Sequence, residues 1–341
     1  MLAIDEFITN GQIFEQVDAF KSNFDSVFRK YLNGIMQGIS FSLFTFGSKS
    51  SGKTFALEGN SNESGVYTLL IENLFYMLDQ KRNGILEAIA NSGSEYPDIE
   101  ATTFTYNVRM KFIELKDEVP IDLLQKFNNY RQAIQILYSE SEGYSVSGAS
   151  WIGISSSVQF GDIYAEAMKL KTNFEYGTVN RNATVLTLEI SQMLENRTTR
   201  DVKYINSRLN IYDLPSADLL SESFRSLQNN PEYKSIFAFQ NMCVELAKSH
   251  NNALSTIYDK SVLTKLMKEN VGANALNLAI FTLQQNNYAI SQLVFKMMKV
   301  CSQIQCFPII NDTNSNGLLK KFRVEISYLQ KYSSKIILVI I

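Results

Sequence analysis

Residues 44–59 read FTFGSKSSGKTFALEG and contain, at positions 47–54, the pattern G-x-x-x-x-G-K-[ST]. This pattern forms a phosphate-binding loop when a strand precedes it and a helix follows. The apolar run IMQGISFSLFTF at 35–46 predicts a buried strand that ends at Gly47. The chain after the loop carries apolar side chains at helical spacing, namely Leu70, Leu74, Phe75 and Leu78. The order of strand, loop and helix therefore agrees with a phosphate site.

Each residue type in the loop has a task at a phosphate group. Glycines let backbone N–H groups curve around phosphate oxygens, Lys53 can neutralise the β- and γ-phosphates, and the Thr54 hydroxyl can bind Mg²⁺. The alternative is an ordinary surface turn rich in Ser, Gly and Lys. We predict a phosphate site formed by all eight loop residues: Gly47, Ser48, Lys49, Ser50, Ser51, Gly52, Lys53 and Thr54.

The composition indicates a globular chain and excludes several kinds of site. Hydrophobic residues make up 45% of the 341 residues and charged residues 19%, which is enough apolar surface for a core. The 32 basic and 34 acidic residues leave a net charge of −2, so nothing attracts the whole chain to nucleic acid. His250 is the single histidine, which excludes a multi-histidine zinc site and a histidine-based catalytic triad.

Several features favour a cytoplasmic protein with no membrane partner. Three cysteines are too few for a disulfide framework and indicate free thiols in a reducing compartment. The N-terminus, MLAIDEFITNG, has acidic residues where a secretion signal would have basic ones. The final apolar run, IILVII, is far shorter than the ~20 residues that cross a bilayer as a helix.

Strand and helix patterns alternate along the chain. Residues 108–115, 183–190 and 208–214 predict strands, while 160–170 and 237–250 predict helices. Such interleaving predicts an α/β fold with a central, largely parallel or mixed sheet and helices on both faces.

At this point the sequence resembles the kinesin motor domain. The loop segment is similar to the family's A-Y-G-Q-T-G-S-G-K-T-x-T-M-x-G, and VRMKFIELKDEVPIDLL at 108–124 resembles V-x-x-S-x-x-E-I-Y-N-E-x-x-x-D-L-L. RLNIYDLPSADLL at 208–220 is similar to switch II, K-L-x-x-V-D-L-A-G-S-E. GVYTLLIENLF at 65–75 and YDKSVLTKLMKENVGANALNLAIFTL at 258–283 also follow in family order.

The resemblance implies a P-loop NTPase fold of the kinesin type that binds ATP or ADP with Mg²⁺. It implies a motor-like domain over residues 1–306, without the family's first strand and its R-x-R-P adenine motif, and a C-terminal extension over 307–341. Kinesins usually carry a neck linker and coiled coil there, whereas FRVEISYLQ and KIILVII predict a β-hairpin. Phe55 stands where kinesins stack an aromatic ring on adenine, with a place in the core as the alternative.

Switch I departs from the family pattern. In the register set by TLEI at 187–190, residues 179–183 lie over S-S-R-S-H, and Arg181 alone is retained. The family serines contact Mg²⁺ and help to place the attacking water. The resemblance therefore implies impaired hydrolysis.

Switch II departs as well. It keeps Asp213, but Pro215 and Ser216 replace an alanine and a glycine. The family glycine donates its backbone N–H to the γ-phosphate, and proline restrains the backbone. The resemblance implies catalytic roles for Arg181 and Asp218 as an ion pair between the switches, and for Asp213, which with Thr54 would serve Mg²⁺. The alternative for the three charged residues is ordinary surface charge.

The resemblance also implies a microtubule partner, reached through Lys248, Lys260, Lys265 and Lys268. Asp259 and Val262 replace basic family residues, so we expect weaker, salt-sensitive binding, and a solvated lysine face is the alternative. Three functions stay open: a microtubule-associated ATP-binding motor domain with slow or absent hydrolysis, an inactive pseudo-motor in a microtubule assembly such as the axoneme of a cilium, and an NTPase unrelated to microtubules.

Overall fold

The computed structural model describes residues 27–92, 102–128, 133–139, 143–172, 179–196, 199–248, 255–284 and 287–312. The predicted C-terminal hairpin and the N-terminal segment before residue 27 lie outside these residues. The α-helices are α1 (Arg29–Gln37), α2 (Lys53–Glu58), α3 (Val66–Ser92), α4 (Ser157–Met168), α5 (Pro231–Lys248), α6 (Val262–Met267) and α7 (Tyr288–Cys301). The strands are β1 (Phe41–Gly47), β2 (Thr102–Lys116), β3 (Val119–Asp122), β4 (Gln135–Ser139), β5 (Gly143–Ser147), β6 (Ile152–Ile154), β7 (Ala183–Asn196), β8 (Asp201–Asp213) and β9 (Leu276–Thr282).

The main sheet is mixed, as the sequence predicted. Its strand order is β3-β2-β7-β8-β1-β9, with β6 paired to β2, and β4 and β5 form a separate two-stranded sheet. Strand β1 runs parallel to both β8 and β9, whereas β2, β7 and β8 are antiparallel neighbours. The loop at 47–54 therefore leaves the parallel half of the sheet.

Helices cover both faces of the sheet. On strand β1, Phe41 and Leu43 pack with α1, α3 and α4, while Phe44 and Phe46 pack with α5, α6 and α7. All seven residues of β1 are buried, as expected of a strand with both faces covered. The predicted fold class is confirmed.

One boundary in the sequence interpretation was wrong. The run at 35–46 is not one strand, because its first three residues end helix α1 and the strand begins at Phe41. Gly38 ends the helix with φ +96°, and its N–H donates to the carbonyls of Gly34 and Ile35. Glycine adopts this left-handed conformation at helix ends without the strain that a Cβ would bring.

The segment after α7 returns to the sheet. The backbone N–H of Asn311 donates to the Gly38 carbonyl at 2.9 Å, and the Asn311 carbonyl accepts from the N–H of Asn206 at 2.8 Å. Residues up to 312 are therefore hydrogen-bonded to the body of the domain. The boundary at 306/307 stays a prediction.

Lys111 on β2 is a buried cation that should make stability depend on pH. Its side chain packs with Nζ 4.4 Å from the Trp151 ring centroid, and burial lowers its pKa from 10.5 to about 8, with the charge of Arg208 adding to the effect. The unfolded chain therefore binds more protons between pH 8 and 10.5, so wild-type stability rises across that window as pH increases.

We expect Lys111→Met to raise the melting temperature at pH 7 by about 3 °C, because it removes a charge whose burial costs about 2 kcal/mol and loses a weaker contact with Trp151. The gain should vanish near pH 10. Thermal melts at both pH values test this, with the exposed Lys169→Met as control. An equal gain at both pH values would contradict the assignment.

Candidate phosphate site and lysine surface

The loop at 47–54 joins the central strand β1 to helix α2, as predicted. Two of its residues have positive φ, Ser50 at 55° and Gly52 at 96°. Position 47 requires a glycine because strand β9 passes close to it. A Cβ at this position would lie 2.1 Å from Thr282 Oγ1 and 2.5 Å from the Thr282 carbonyl oxygen. The loop is thus a tight turn held against the sheet.

The Lys53 side chain stabilises this turn by hydrogen bonds to its backbone. It is buried, and its Nζ donates to the carbonyls of Gly47 and Ser48 at 2.8 Å each. Burial lowers the pKa of Lys53, while the nearby charges of Asp213 and Asp218 raise it. The ammonium of Lys53 thus bonds to two loop carbonyls and is influenced by the charges of two carboxylates, and its role at a phosphate stays a prediction.

Thr54 and Phe55 begin α2 next to Lys53. Thr54 is exposed and Phe55 is partly buried. Their roles as metal ligand and adenine contact stay predictions.

Asp213 ends β8 beside the loop and is almost fully buried. Its Oδ1 accepts from Thr45 Oγ1 at 2.9 Å, and its Oδ2 lies 3.7 Å from Nζ of Lys171, whose side chain is 15% exposed. Lys171 also opposes the burial that raises the pKa of Glu58. The sequence interpretation missed Lys171, because a single lysine between a helix and a switch segment carries no motif.

The switch segments bond to each other. The backbone N–H of Ser216 donates to the Asn180 carbonyl at 3.0 Å. The Asn180 side chain accepts from the N–H of Asn182, and the Asn182 amide donates to Glu114 at 2.8 Å. Switch I is therefore held on one side by switch II and on the other by a carboxylate of β2.

The predicted ion pair between Arg181 and Asp218 is wrong. Arg181 Nη1 lies 2.7 Å from Glu232 Oε2 at the start of α5, in a pair whose side chains are each about two-fifths exposed. Asp218 Oδ2 instead accepts from the backbone N–H of Lys49 and from Ser216 Oγ, at 2.6 Å each. The short aspartate bonds to the nearest donors, and these lie in the loop and in switch II.

The residues present fit a magnesium site poorly. Asp213 already has a hydroxyl and an ammonium at its two oxygens. The switch I amides that replace the family serines are engaged within the protein. Thr54 is the one predicted metal ligand with an exposed side chain.

The predicted lysine surface is partly assembled by the β4–β5 hairpin. Nζ of Lys268 lies 4.9 Å from the ring centroid of Tyr138 and 5.4 Å from that of Tyr144, and Nζ of Lys265 lies 5.7 Å from Tyr144. The Tyr144 hydroxyl donates to Asp259 at 2.6 Å. Lys265 of α6 and Lys268, the residue after that helix, thus share one surface with two tyrosines.

The other two predicted lysines lie on neighbouring elements. Lys260 ends the 3₁₀ helix Ser255–Lys260, which directly precedes α6, and is exposed. Lys248 ends α5 and pairs with Glu245 at 3.1 Å.

No helix in the described part of the chain has both the length and the apolar character to cross a membrane.

A central strand, a phosphate loop and a helix, set in a mixed sheet with helices on both faces, define a P-loop nucleotide-binding fold. The chain belongs to the kinesin motor domain family, whose family model, "Kinesin motor domain", matches residues 6–305. This assignment removes the interpretation as an NTPase unrelated to microtubule motors.

Individual relatives agree with this assignment. The chain is 23% identical to Kinesin-related protein 1 of Dictyostelium discoideum over 89% of its own length and 14% of that protein. It is also 23% identical to Kinesin-like protein 8 of Schizosaccharomyces pombe, over 73% of its own length and 47% of that protein. The chain thus spans less than half of the length of these two curated relatives.

A solved structure has the same fold. It is a KIF14 dimer described as a two-heads-bound state with AMP-PNP in complex with a microtubule. The two chains superpose with a TM-score of 0.70 at 21% identity, covering 89% of this chain and 82% of that chain.

Proposed function

We propose that the chain is a nucleotide-binding, microtubule-associated kinesin domain in which ATP hydrolysis is slow or absent. One observation carries the loss of hydrolysis: the Ser216 N–H, which replaces the family's donor to the γ-phosphate, is bonded to the Asn180 carbonyl at 3.0 Å. A γ-phosphate could engage this donor only if the two switches came apart. Binding of a γ-phosphate at Ser216 would therefore have to break a hydrogen bond that already exists within the chain.

Nucleotide binding is supported by the loop at 47–54 and by the buried ammonium of Lys53. The structural neighbour is described with AMP-PNP, a nucleotide with three phosphates. ATP or ADP would lie along the loop, with Phe55 beside the base.

Microtubule association is supported by the lysine surface on α6 and the hairpin, and the neighbour is described in complex with a microtubule. Because Lys265 and Lys268 stack on tyrosine rings, their ammonium groups have less freedom to lose when they meet an acidic partner. This surface would give the protein a cytoskeletal location.

The second candidate, a pseudo-motor that serves as a structural module on microtubules, is favoured by the same contact between the switches. It differs from the first candidate in one measurable property, because it would release no phosphate from ATP, whereas the first candidate still allows slow release that microtubules do not stimulate. An axoneme is one assembly that could use such a module, and that role stays a prediction.

One experiment tests the surface and the turnover together. The chain is sedimented with microtubules in low salt while phosphate release from ATP is measured in the same sample. We expect co-sedimentation, a loss of affinity of about tenfold in the variant Lys265→Glu with Lys268→Glu, and no stimulated phosphate release. The control Lys169→Glu reverses one exposed charge next to α4, a helix that packs on the other face of the sheet.

Two results would contradict the proposal. If the chain does not co-sediment, or if the double variant binds as well as Lys169→Glu, the lysine surface is not a microtubule site. If microtubules stimulate phosphate release and Lys53→Ala abolishes it, the domain is an active motor.

A further inference from the structure

We propose that two side chains, Lys171 and Asp218, carry the charges that Mg²⁺ and a terminal phosphate would bring, so that the site takes a nucleoside diphosphate without a metal ion. This inference rests on the proposed nucleotide binding at the loop and goes further by naming the ligand class. It follows from the poor fit of the site to magnesium and from the position of one carboxylate.

Lys171 supplies the positive charge. The Asp213 carboxylate is 4% exposed, and a carboxylate buried to that degree needs a compensating cation. The ammonium of Lys171 lies 3.7 Å from its Oδ2, while Thr45 donates to Oδ1. Both oxygens of Asp213 are thus compensated by groups of the chain.

A divalent ion would have to share this carboxylate with the ammonium. Two cations on one buried carboxylate repel each other, and Lys171 can move away only by exposing a side chain that is now mostly buried. Glu58, whose pKa burial raises and Lys171 lowers, adds a second acidic group that favours the lysine where it is. The ammonium of Lys171 therefore takes the place that a metal ion would have beside Asp213.

Asp218 supplies the negative charge. Its Oδ2 accepts from the backbone N–H of Lys49 in the loop and from Ser216 Oγ in switch II, at 2.6 Å each. Loop N–H groups of this kind are what a phosphate oxygen binds, and a carboxylate oxygen can take the same place. Asp218 is also close enough to Lys53 to act on its charge.

The position of this carboxylate selects against a third phosphate. It bridges the loop and Ser216, the residue at which the family meets the γ-phosphate, and the Ser216 N–H is bonded to Asn180. A triphosphate would bring its terminal charge against a carboxylate and find two donors already engaged. A diphosphate lacks the group that the family places at Ser216, so it does not need the Ser216 N–H.

The test is a binding titration of the chain with ADP and with ATP, each in Mg²⁺ and in EDTA. We expect the ADP dissociation constant to change by less than about twofold between Mg²⁺ and EDTA, and ATP to bind about tenfold more weakly than ADP. Lys171→Met should weaken ADP binding in EDTA and make Mg²⁺ improve it by about tenfold, whereas Lys169→Met, two residues away and exposed, should behave as wild type. Asp218→Asn should narrow the difference between the ATP and ADP dissociation constants by about tenfold.

Lys171→Met removes the ammonium that lies 3.7 Å from Asp213 and could destabilise the fold. Lys171→Arg, which keeps the charge, is therefore measured beside it and should retain Mg²⁺-independent binding. Wild-type binding that requires Mg²⁺, or tighter binding of ATP than of ADP, would overturn the inference while leaving nucleotide binding intact. An absence of binding to both nucleotides in every condition would overturn the proposed nucleotide site itself.

Discussion

Lys53→Ala should lower the affinity of the chain for ADP by about 10- to 150-fold. The buried ammonium is the one loop side chain that bonds to the loop carbonyls and also lies within reach of the charges of Asp213 and Asp218. A charge-assisted bond to a phosphate contributes about 1.5 to 3 kcal/mol, and the alanine removes it. A fluorescent ADP analogue and an equilibrium titration measure the change.

A loss of ADP affinity is informative only if the Lys53→Ala variant is folded. Lys53→Ala also removes the two bonds to the Gly47 and Ser48 carbonyls, so a moderate fall in melting temperature is expected. A melt followed by circular dichroism separates unfolding from lost binding, and Lys169→Ala serves as the control. Unchanged ADP affinity in a folded Lys53→Ala variant would show that the loop is a surface turn rather than a phosphate site.

Glu114→Ala should lower the free energy of unfolding by about 3 kcal/mol. The carboxylate is 1% exposed and accepts three bonds, from the Thr172 N–H at 3.1 Å, from Thr172 Oγ1 at 2.9 Å and from Asn182 Nδ2 at 2.8 Å. It thus ties strand β2 to the residue after Lys171 and to switch I. Removing it leaves buried donors without an acceptor, which costs more than the bonds themselves contribute.

Urea unfolding measures this loss, and Glu195→Ala is the matched control. Glu195 is a partly buried carboxylate near the far end of β7, with one long contact of 3.5 Å to Thr103, so its removal should cost less than about 0.5 kcal/mol. Equal losses in the two variants would contradict the role of Glu114. Because Thr172 adjoins Lys171, we also expect Glu114→Ala to make ADP binding more dependent on Mg²⁺.

The local sequence pattern was sufficient to predict the loop and most of the strands that were named. The predicted phosphate loop is contiguous, and its glycines, Lys53 and Thr54 lie within eight residues, so spacing alone is enough to predict them. The strands predicted at 108–115 and 183–190 lie inside β2 and β7, and the one predicted at 208–214 ends one residue beyond β8, because burial of a strand shows in the pattern of its consecutive residues. The error at 35–46 arose since a short apolar run fits the end of a helix as well as a strand.

Contacts between distant segments could not be predicted in the same way. Asp218 bonds to Lys49 across 169 positions of sequence, and Arg181 pairs with Glu232 rather than with the partner that the family pattern suggested. A carboxylate takes whichever donor the backbone brings within about 3 Å, and one methylene in a side chain changes that choice.

The amino-acid pattern alone was enough to establish the α/β class, the position of the phosphate loop and the family, because these depend on periodicity and on residues that are neighbours in sequence. The folded chain decided which charges compensate Asp213 and which anion meets the Lys49 amide. Those pairings depend on distances of a few ångströms between separate elements, and such distances exist only once the sheet and its helices have packed.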